Sequence, residues 1–165
     1  MPESIQHTQL AGEVGYNAPG HYLPHAAPMI LLEQVCEIGA DHARCRVTVG
    51  PGGVMRPFLT ADGHLPGWYA IEMMAQTVGV WSGWHGRRRG EPPRAGLLLG
   101  ARALNCERPC FVAGSVLDIS INLLLQDDRI GSFDCVIRDA EDILATGRLT
   151  TYQPDDNEII QLLKD

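Results

Sequence analysis

The feature that most constrains the fold is an almost unbroken apolar segment, GWYAIEMMAQTVGVWSGW, at residues 67–84. Its apolar side chains leave almost no polar face, which predicts a helix that is buried nearly all round. Pro66 is a favoured first-turn residue and predicts that the helix begins near Gly67. Glu72 and Gln76 are the polar exceptions. Because they are four residues apart, they share one stripe of the helix.

The rest of the chain predicts antiparallel strands. Segments 28–38 and 42–49 are expected to form a hairpin, and segments 95–105, 116–125, 132–138 and 143–152 the remaining strands. Within 116–125, apolar and polar residues alternate, which predicts one buried face, formed by Leu117, Ile119, Ile121 and Leu123. Residues 51–67 and 85–94 are expected to be loops. A sheet of five to six antiparallel strands wrapped around one long central helix is an α+β architecture.

Length and composition predict one domain of ordinary size, with 165 residues and a net charge of −7. We expect a flexible arm over residues 1–20, the domain over 21–153 and a tail over 154–165, where a capping-box pattern from Asp155 to Glu158 favours a short helix. With 13 Lys and Arg against 20 Asp and Glu, nucleic acid is not an expected partner. Lys164 is the only lysine, which argues against Schiff-base chemistry. No signal peptide or membrane span is predicted, so we expect a cytoplasmic protein.

A carboxyl group on a helix buried nearly all round predicts unusual chemistry. An unpaired Glu72 there would have its pKa raised by about two units or more, which suits a general acid near pH 7. The alternative is an ion pair with Arg46 or Arg102 from the sheet. At the helix start, the backbone N–H groups of Gly67 and Trp68 lack intrahelical partners. They suit a carbonyl oxygen that gains negative charge; the alternative is that Pro66 and Gly67 merely start the helix.

The histidines supply the candidate bases. His64 lies shortly before the helix start and is the first candidate for a general base. His21 and His25 precede the first strand and are expected to pack or to form hydrogen bonds. The spacing of His, Cys, Asp and Glu completes no metal site, so no metal is expected.

Three segments carry a resemblance: LPHAAPMILLEQV at 23–35, LPGWYAIEMMAQTVGVW at 65–81 and RPCFVAGSVLDISI at 108–121. In this order they resemble motifs of the hot dog fold 3-hydroxyacyl-[acyl carrier protein] dehydratases. The central helix is similar to the pattern PG-x-x-x-(I/L)-E-x-(L/M)-AQ, which is the most specific of the three. The resemblance implies a twisted antiparallel sheet that wraps one long helix. It also implies that two chains pair and form their active sites between them.

The resemblance further implies a reaction: a 3-hydroxyacyl thioester is dehydrated to a trans-2-enoyl thioester on the phosphopantetheine arm of an acyl carrier protein, with no other cofactor. In that family a histidine removes the C2 proton, a helix carboxylate protonates the leaving hydroxyl and a helix-start amide holds the thioester oxygen. Carried over, Glu72 is the carboxylate and Gly67 or Trp68 the amide donor. Gln76 is expected to orient Glu72 or to tie the helix to the sheet, so Trp68 and Gln76 are expected at the substrate.

A basic stretch follows the predicted helix. Arg87, Arg88 and Arg89 lie in the expected loop 85–94 of a chain that is otherwise acidic. Since an acyl carrier protein is itself acidic, this stretch is either its docking site or an ordinary solvated loop.

The histidine departs from the family pattern. The usual dehydratases have a histidine fourteen residues before the helix carboxylate, whereas His64 precedes Glu72 by eight. Two alignments with the family are possible. In the first, the histidine motif is retained and six residues after it are missing; in the second, the helix is retained and the histidine motif is replaced. We favour the second alignment, because it keeps the helix without a gap; His64 is then a neighbour of the usual base position and not its equivalent.

This shortened pattern is similar to the dehydratase-like proteins of aryl-polyene pigment clusters, which pair with a second hot dog subunit. The chain is therefore expected to form a homodimer, or a heterodimer whose partner supplies the histidine. Two other functions stay open. One is an acyl-thioester hydrolase on the same fold, in which Glu72 activates water. The other is a non-catalytic subunit that stabilises a catalytic dehydratase, and the displaced His64 favours it.

Overall fold

In the computed structural model, which describes residues 15–94 and 96–164, the chain forms a six-stranded sheet, a sheet of two short strands and two α-helices. The strands are β1 (Gln34–Ile38), β2 (His42–Thr48), β3 (Leu65–Pro66), β4 (Leu97–Cys106), β5 (Cys110–Phe111), β6 (Val116–Asp127), β7 (Ile130–Asp139) and β8 (Asp142–Tyr152). The helices are α1 (Tyr69–Arg88) and α2 (Asp156–Lys164). Residues 1–14, which make up most of the predicted arm, lie outside the described residues.

The six-stranded sheet is antiparallel throughout, in the order β1-β2-β6-β7-β8-β4. Alternate residues form its buried face: Leu117, Ile119 and Ile121 of β6 are fully buried, as the period of two predicts. α1 follows β2 in the chain and packs against this face, where Met73 and Met74 join the core. The predicted α+β architecture, an antiparallel sheet wrapped around one central helix, is confirmed.

Two predicted boundaries around the central helix were wrong. α1 continues to Arg88, whereas the predicted helix ends at residue 84. Arginine is a good helix former, and its charge is favourable at the negative C-terminal end of the helix dipole. The predicted loop before the helix contains β3, which pairs with β5 through Leu65 opposite Phe111. Strands of two residues are too short to give a periodic signal in the sequence.

The first strand is shorter than predicted. β1 begins at Gln34, and residues 28–33 form no strand. In this segment the Leu31 N–H donates to the side-chain oxygen of Gln76, and the Met29 carbonyl accepts from the Gln76 amide. Because a helix side chain satisfies these backbone groups, the segment lies on α1 and not in the sheet.

Both ends of the described chain are tied to the domain. The Ile38 N–H donates to the Tyr16 hydroxyl at 3.1 Å, and the Tyr16 ring packs edge-on against Trp84. Tyr16, which belongs to the predicted arm, therefore packs against the domain. At the other end, the Glu158 N–H donates to Asp155 Oδ1 at 2.8 Å and the Asp155 N–H to Glu158 Oε1 at 3.4 Å. These are the two bonds of the predicted capping box, and they start α2.

Candidate active site

The site is built on one stripe of α1. Glu72, Gln76, Gly79 and Gly83 follow one another at spacings of four, three and four residues, so they face the same side of the helix. Segment 22–31 lies along this stripe. Gln76 is 1% exposed and uses both ends of its amide there, accepting from the Leu31 N–H at 2.9 Å. The amide nitrogen donates to the Met29 carbonyl and to Glu72.

The two glycines of the stripe let the segment approach the helix closely. A Cβ atom at Gly83 would lie 1.9 Å from the Tyr22 carbonyl oxygen, and one at Gly79 would lie 2.7 Å from Leu23 Cδ2. No larger residue fits at Gly83 without moving the backbone of the segment. Tyr22 and Leu23 are both buried against the helix. This packing fixes the position of the next residues, Pro24 and His25.

Segment 22–31 places His25 beside Glu72. His25 Nε2 lies 4.0 Å from Glu72 Oε1, and the same carboxylate oxygen accepts from Gln76 Nε2 at 3.0 Å. From sequence, His25 was expected to pack or to form hydrogen bonds, and it was not predicted to lie at the site. The available signal was the LPH tripeptide at 23–25, within the first segment of the resemblance. The structure therefore assembles a carboxyl group and an imidazole from a single chain.

Glu72 is less enclosed than predicted. Its side chain is 45% exposed and that of His25 is 37% exposed, because the stripe ends in a cavity and not in the core. This chain alone does not provide the fully apolar surroundings that the sequence predicted. The alternative ion pairs were also wrong. Arg46 Nε donates to Asp118 Oδ1 at 2.8 Å, and across the described ranges Arg102 forms no ion pair with Glu72.

A cavity of about 190 Å³ extends from His25 and Glu72 along α1. Ala75, Val78 and Ser82 line it from the helix, and Leu98 and Phe133 are among the residues that line it from the sheet. Ten residues separate Glu72 from Ser82, which corresponds to about 15 Å along the helix axis. A space that follows the helix from an acid–base pair, with more apolar than polar surface, is suited to an acyl chain.

At the start of α1, the two predicted amide donors differ. The Gly67 N–H donates to the Pro109 carbonyl at 2.9 Å and is engaged inside the chain, in contrast to the free donor that the sequence predicted. The Trp68 N–H finds no acceptor in the described part of the chain, and the Trp68 side chain is 72% exposed. Of the two, Trp68 is therefore the residue whose amide is available to a ligand.

His64 is not brought to the cavity. Its Nδ1 accepts a hydrogen bond from the Ala113 N–H at 2.9 Å, and its own N–H donates to the Thr60 hydroxyl at 3.2 Å. It lies just before β3 and joins this segment to the loop between β5 and β6. His64 therefore does not line the cavity along α1 that Glu72 lines, although the two residues are the acid–base pair proposed from sequence.

The three arginines lie at the C-terminal end of α1 and are exposed. Arg87 Nε donates to the His21 carbonyl at 2.8 Å, and the Arg88 guanidinium lies 4.7 Å from the centre of the Trp84 ring. Arg89 forms an ion pair with a neighbouring carboxylate at 3.5 Å. Two of them belong to the helix, so the prediction that all three lie in a loop was wrong.

Two features are absent from residues 15–94 and 96–164. No three side chains of His, Cys, Asp or Glu are grouped closely enough to hold a metal ion. Neither α1 nor α2 combines the length and apolar character that crossing a membrane requires.

An antiparallel sheet around one long helix, with a carboxyl group and an imidazole beside a cavity along that helix, defines a hot dog protein with a candidate acid–base site. The sequence matches the ApeP-like family, described as ApeP dehydratase, over residues 17–164. A chain of the dehydratase heterocomplex ApeI:P from Xenorhabdus doucetiae is 56% identical, with a TM-score of 0.86. The alignment covers 91% of this chain and 99% of that chain. The chain belongs to the ApeP-like dehydratase family.

More distant structures share the architecture. The PaaI protein from the phenylacetic acid degradation operon of Escherichia coli is 14% identical over 72% of this chain and 80% of that chain, with a TM-score of 0.56. A virulence protein from Campylobacter jejuni is 10% identical over 94% of both chains, with a TM-score of 0.61. At these identities the likeness is one of fold alone. The family match identifies the chain as a dehydratase.

Proposed function

We propose that this chain dehydrates 3-hydroxyacyl thioesters to trans-2-enoyl thioesters on the phosphopantetheine arm of an acyl carrier protein. The setting is the cytoplasm, in fatty-acid or aryl-polyene-type biosynthesis. The observation that carries the proposal is the Glu72 carboxyl group, held by Gln76 beside a cavity that suits an acyl chain. Glu72 gives a proton to the 3-hydroxyl group, which then leaves as water. The elimination is neither an oxidation nor a reduction overall, and the proposal includes no cofactor beyond the phosphopantetheine arm.

The thioester oxygen is held by the Trp68 amide. Removal of a C2 proton places negative charge on this oxygen, and an N–H group at a helix start stabilises such charge. The Trp68 N–H has no acceptor within the described chain, whereas the Gly67 N–H is bonded to Pro109. The free amide, one turn of helix before Glu72, supports this assignment.

The partner is a second hot dog subunit that meets the chain at β4. This strand is an edge of the six-stranded sheet and is exposed along nearly its whole length. An exposed apolar edge strand is a template for pairing with another chain, and four leucines here are 39–56% exposed: Leu97, Leu98, Leu99 and Leu104. The similar chain from Xenorhabdus doucetiae is part of a heterocomplex, which supports a partner of different sequence over a second copy of this chain.

The acyl carrier protein docks on the exposed arginines at the end of α1. The chain carries a net charge of −7, so these arginines form a local basic patch that an acidic partner would select. Arg88→Glu reverses one of these charges without removing a hydrogen bond to the backbone, in contrast to Arg87. We expect it to raise KM for the carrier-bound substrate and to leave kcat unchanged.

The experiment combines the purified chain, with and without its partner subunit, with a 3-hydroxyacyl carrier protein and follows the acyl product by mass spectrometry. Glu72→Gln is expected to lower turnover by about 10²–10⁴-fold, the usual contribution of a positioned general acid. Glu141→Gln, in the exposed turn between β7 and β8, is the matched control and is expected to have no effect.

Three results would contradict parts of the proposal. Release of a free thiol in place of a 2-enoyl product would mean hydrolysis. Full turnover by a complex that carries Glu72→Gln would make this chain a non-catalytic subunit. Turnover by the isolated chain equal to that of the complex would remove the need for a partner.

A further inference from the structure

We infer that His25 is the general base of the reaction and works with Glu72 of the same chain. The inference rests on the proposed function, and it names the residue that removes the C2 proton. It differs from both interpretations of the sequence, in which this proton goes to His64 or to a histidine of the partner.

The separation of the two groups suits the chemistry. His25 Nε2 and Glu72 Oε1 are 4.0 Å apart, which is too far for a hydrogen bond, and both residues line the cavity along α1. In a 3-hydroxyacyl thioester, the proton to be removed and the hydroxyl to be protonated are on adjacent carbon atoms. An acid and a base that serve them must therefore lie a few ångströms apart and face the same space.

His25 and His64 differ in whether the basic lone pair of the ring is available to remove a proton. His64 Nδ1 accepts a hydrogen bond from the Ala113 N–H, so in neutral His64 the proton is on Nε2 and the basic lone pair is already used. His64 would have to break this bond to act as a base. The His25 ring forms no hydrogen bond with any other described residue, so its lone pair is available for a C2 proton.

Rigid packing fixes His25 without using its ring. The close approach of Tyr22 to Gly83 anchors the segment before His25, and the two Gln76 bonds to the backbone anchor the segment after it. Gln76 also bonds Glu72, so one amide group positions both members of the pair. A base that is held by its backbone on both sides keeps its ring free for the substrate.

The proton transfers balance within this pair. The His25 lone pair takes the C2 proton, and the electrons of the broken C–H bond form the C2–C3 double bond. The C3–O bond breaks, and the oxygen leaves as water with the proton of the Glu72 carboxyl group. The enzyme is left with a protonated His25 and an ionised Glu72. Transfer of the proton from His25 to Glu72, through a water molecule, restores the starting state.

The test uses the complex with the partner subunit and the 3-hydroxyacyl carrier protein substrate. The variants are His25→Asn, His64→Asn and Glu72→Gln in this chain. We expect His25→Asn to lower kcat by about 10²–10⁴-fold with KM within a few-fold of the wild type, and His64→Asn to leave kcat nearly unchanged. Added imidazole is expected to restore part of the activity of His25→Ala, which a merely structural role would not allow.

The outcomes separate this inference from the proposed function. If Glu72→Gln abolishes turnover while His25→Asn retains it, the inference is wrong and the proposed function stands. If neither variant affects turnover, this chain's site takes no part in the reaction, and both the inference and the proposed function are wrong. Should His25→Asn fail to assemble with the partner, the imidazole rescue of His25→Ala decides, and an absence of rescue there means that His25 is not the base.

Discussion

The three glycines of α1 at positions 79, 83 and 86 permit a graded test of how His25 is positioned. At Gly83 an added methyl group would lie 1.9 Å from the Tyr22 carbonyl oxygen. The backbone of the segment must then move by about 1.1 Å or more to reach the 3.0 Å below which such contacts do not occur. At Gly86 the nearest atom is 3.8 Å away, which is an ordinary contact.

These distances predict that replacing glycine by alanine destabilises the chain at position 83 and stabilises it at position 86. Alanine gains about 1 kcal/mol of helix propensity over glycine at either position. Overpacking costs about 1–3 kcal/mol, and the upper end applies at Gly83 because the contact is with backbone and not with a flexible side chain. We expect Gly83→Ala to be destabilised by about 2 kcal/mol in total, and Gly86→Ala to be stabilised by about 0.5–1 kcal/mol. Gly79→Ala, which meets only the movable end of Leu23, should lie between them.

The activity should follow the geometry. A displacement of about 1 Å in a catalytic group can cost about 10²-fold in rate, so we expect Gly83→Ala to lose about that much kcat in the complex. Urea unfolding of the purified chains and turnover of the complexes are the measurements. Equal stability and equal activity of Gly83→Ala and Gly86→Ala would contradict this prediction. Close packing of segment 22–31 on the helix would then have no part in placing His25.

Three further predictions concern other contacts. Gln76→Ala should cost about 1–3 kcal/mol for each buried backbone group left without a partner, and the loss should appear as a lower urea midpoint with an unchanged slope. A hydrogen bond to Asp41, and after it one to Glu37, raises the pKa of His42 in the folded chain. His42 therefore contributes its full stabilisation below its unfolded pKa of about 6.5, and this stabilisation is lost as the pH rises through the higher folded pKa. The difference in melting temperature between the wild type and His42→Ala should therefore shrink from pH 5.5 to 8.5, and a growing difference would show the sign to be wrong. Burial raises the pKa of Cys45 and of Cys135 to about 12, so both thiols should resist iodoacetamide at pH 8 until the chain is unfolded, as peptide mass spectrometry will show.

Much of the architecture was predictable, because it depends on local periodicity. The alternation at Leu117, Ile119 and Ile121 specifies a half-buried strand whatever lies opposite to it. The apolar run of α1 likewise specifies a buried helix, and the capping-box pattern at Asp155 specifies the start of α2. The boundaries were less predictable. β1 is short because Gln76, about 45 residues away, bonds the backbone that would otherwise have extended it.

The fold class, the carboxylate on the central helix and the family resemblance could be predicted from sequence, since each depends on residues that are close together in the chain. Which histidine meets Glu72 could not be predicted, because it depends on how distant segments pack. His64 is nearer in sequence, but its ring is bonded to Ala113, whereas His25 reaches the site because Gly83 allows the Tyr22 backbone to touch the helix. Such a contact joins residues some sixty positions apart and depends on the absence of a side chain. Neither the hydrophobic period nor the spacing of residues predicts this contact, because the sequence does not show which distant segment packs against a given glycine.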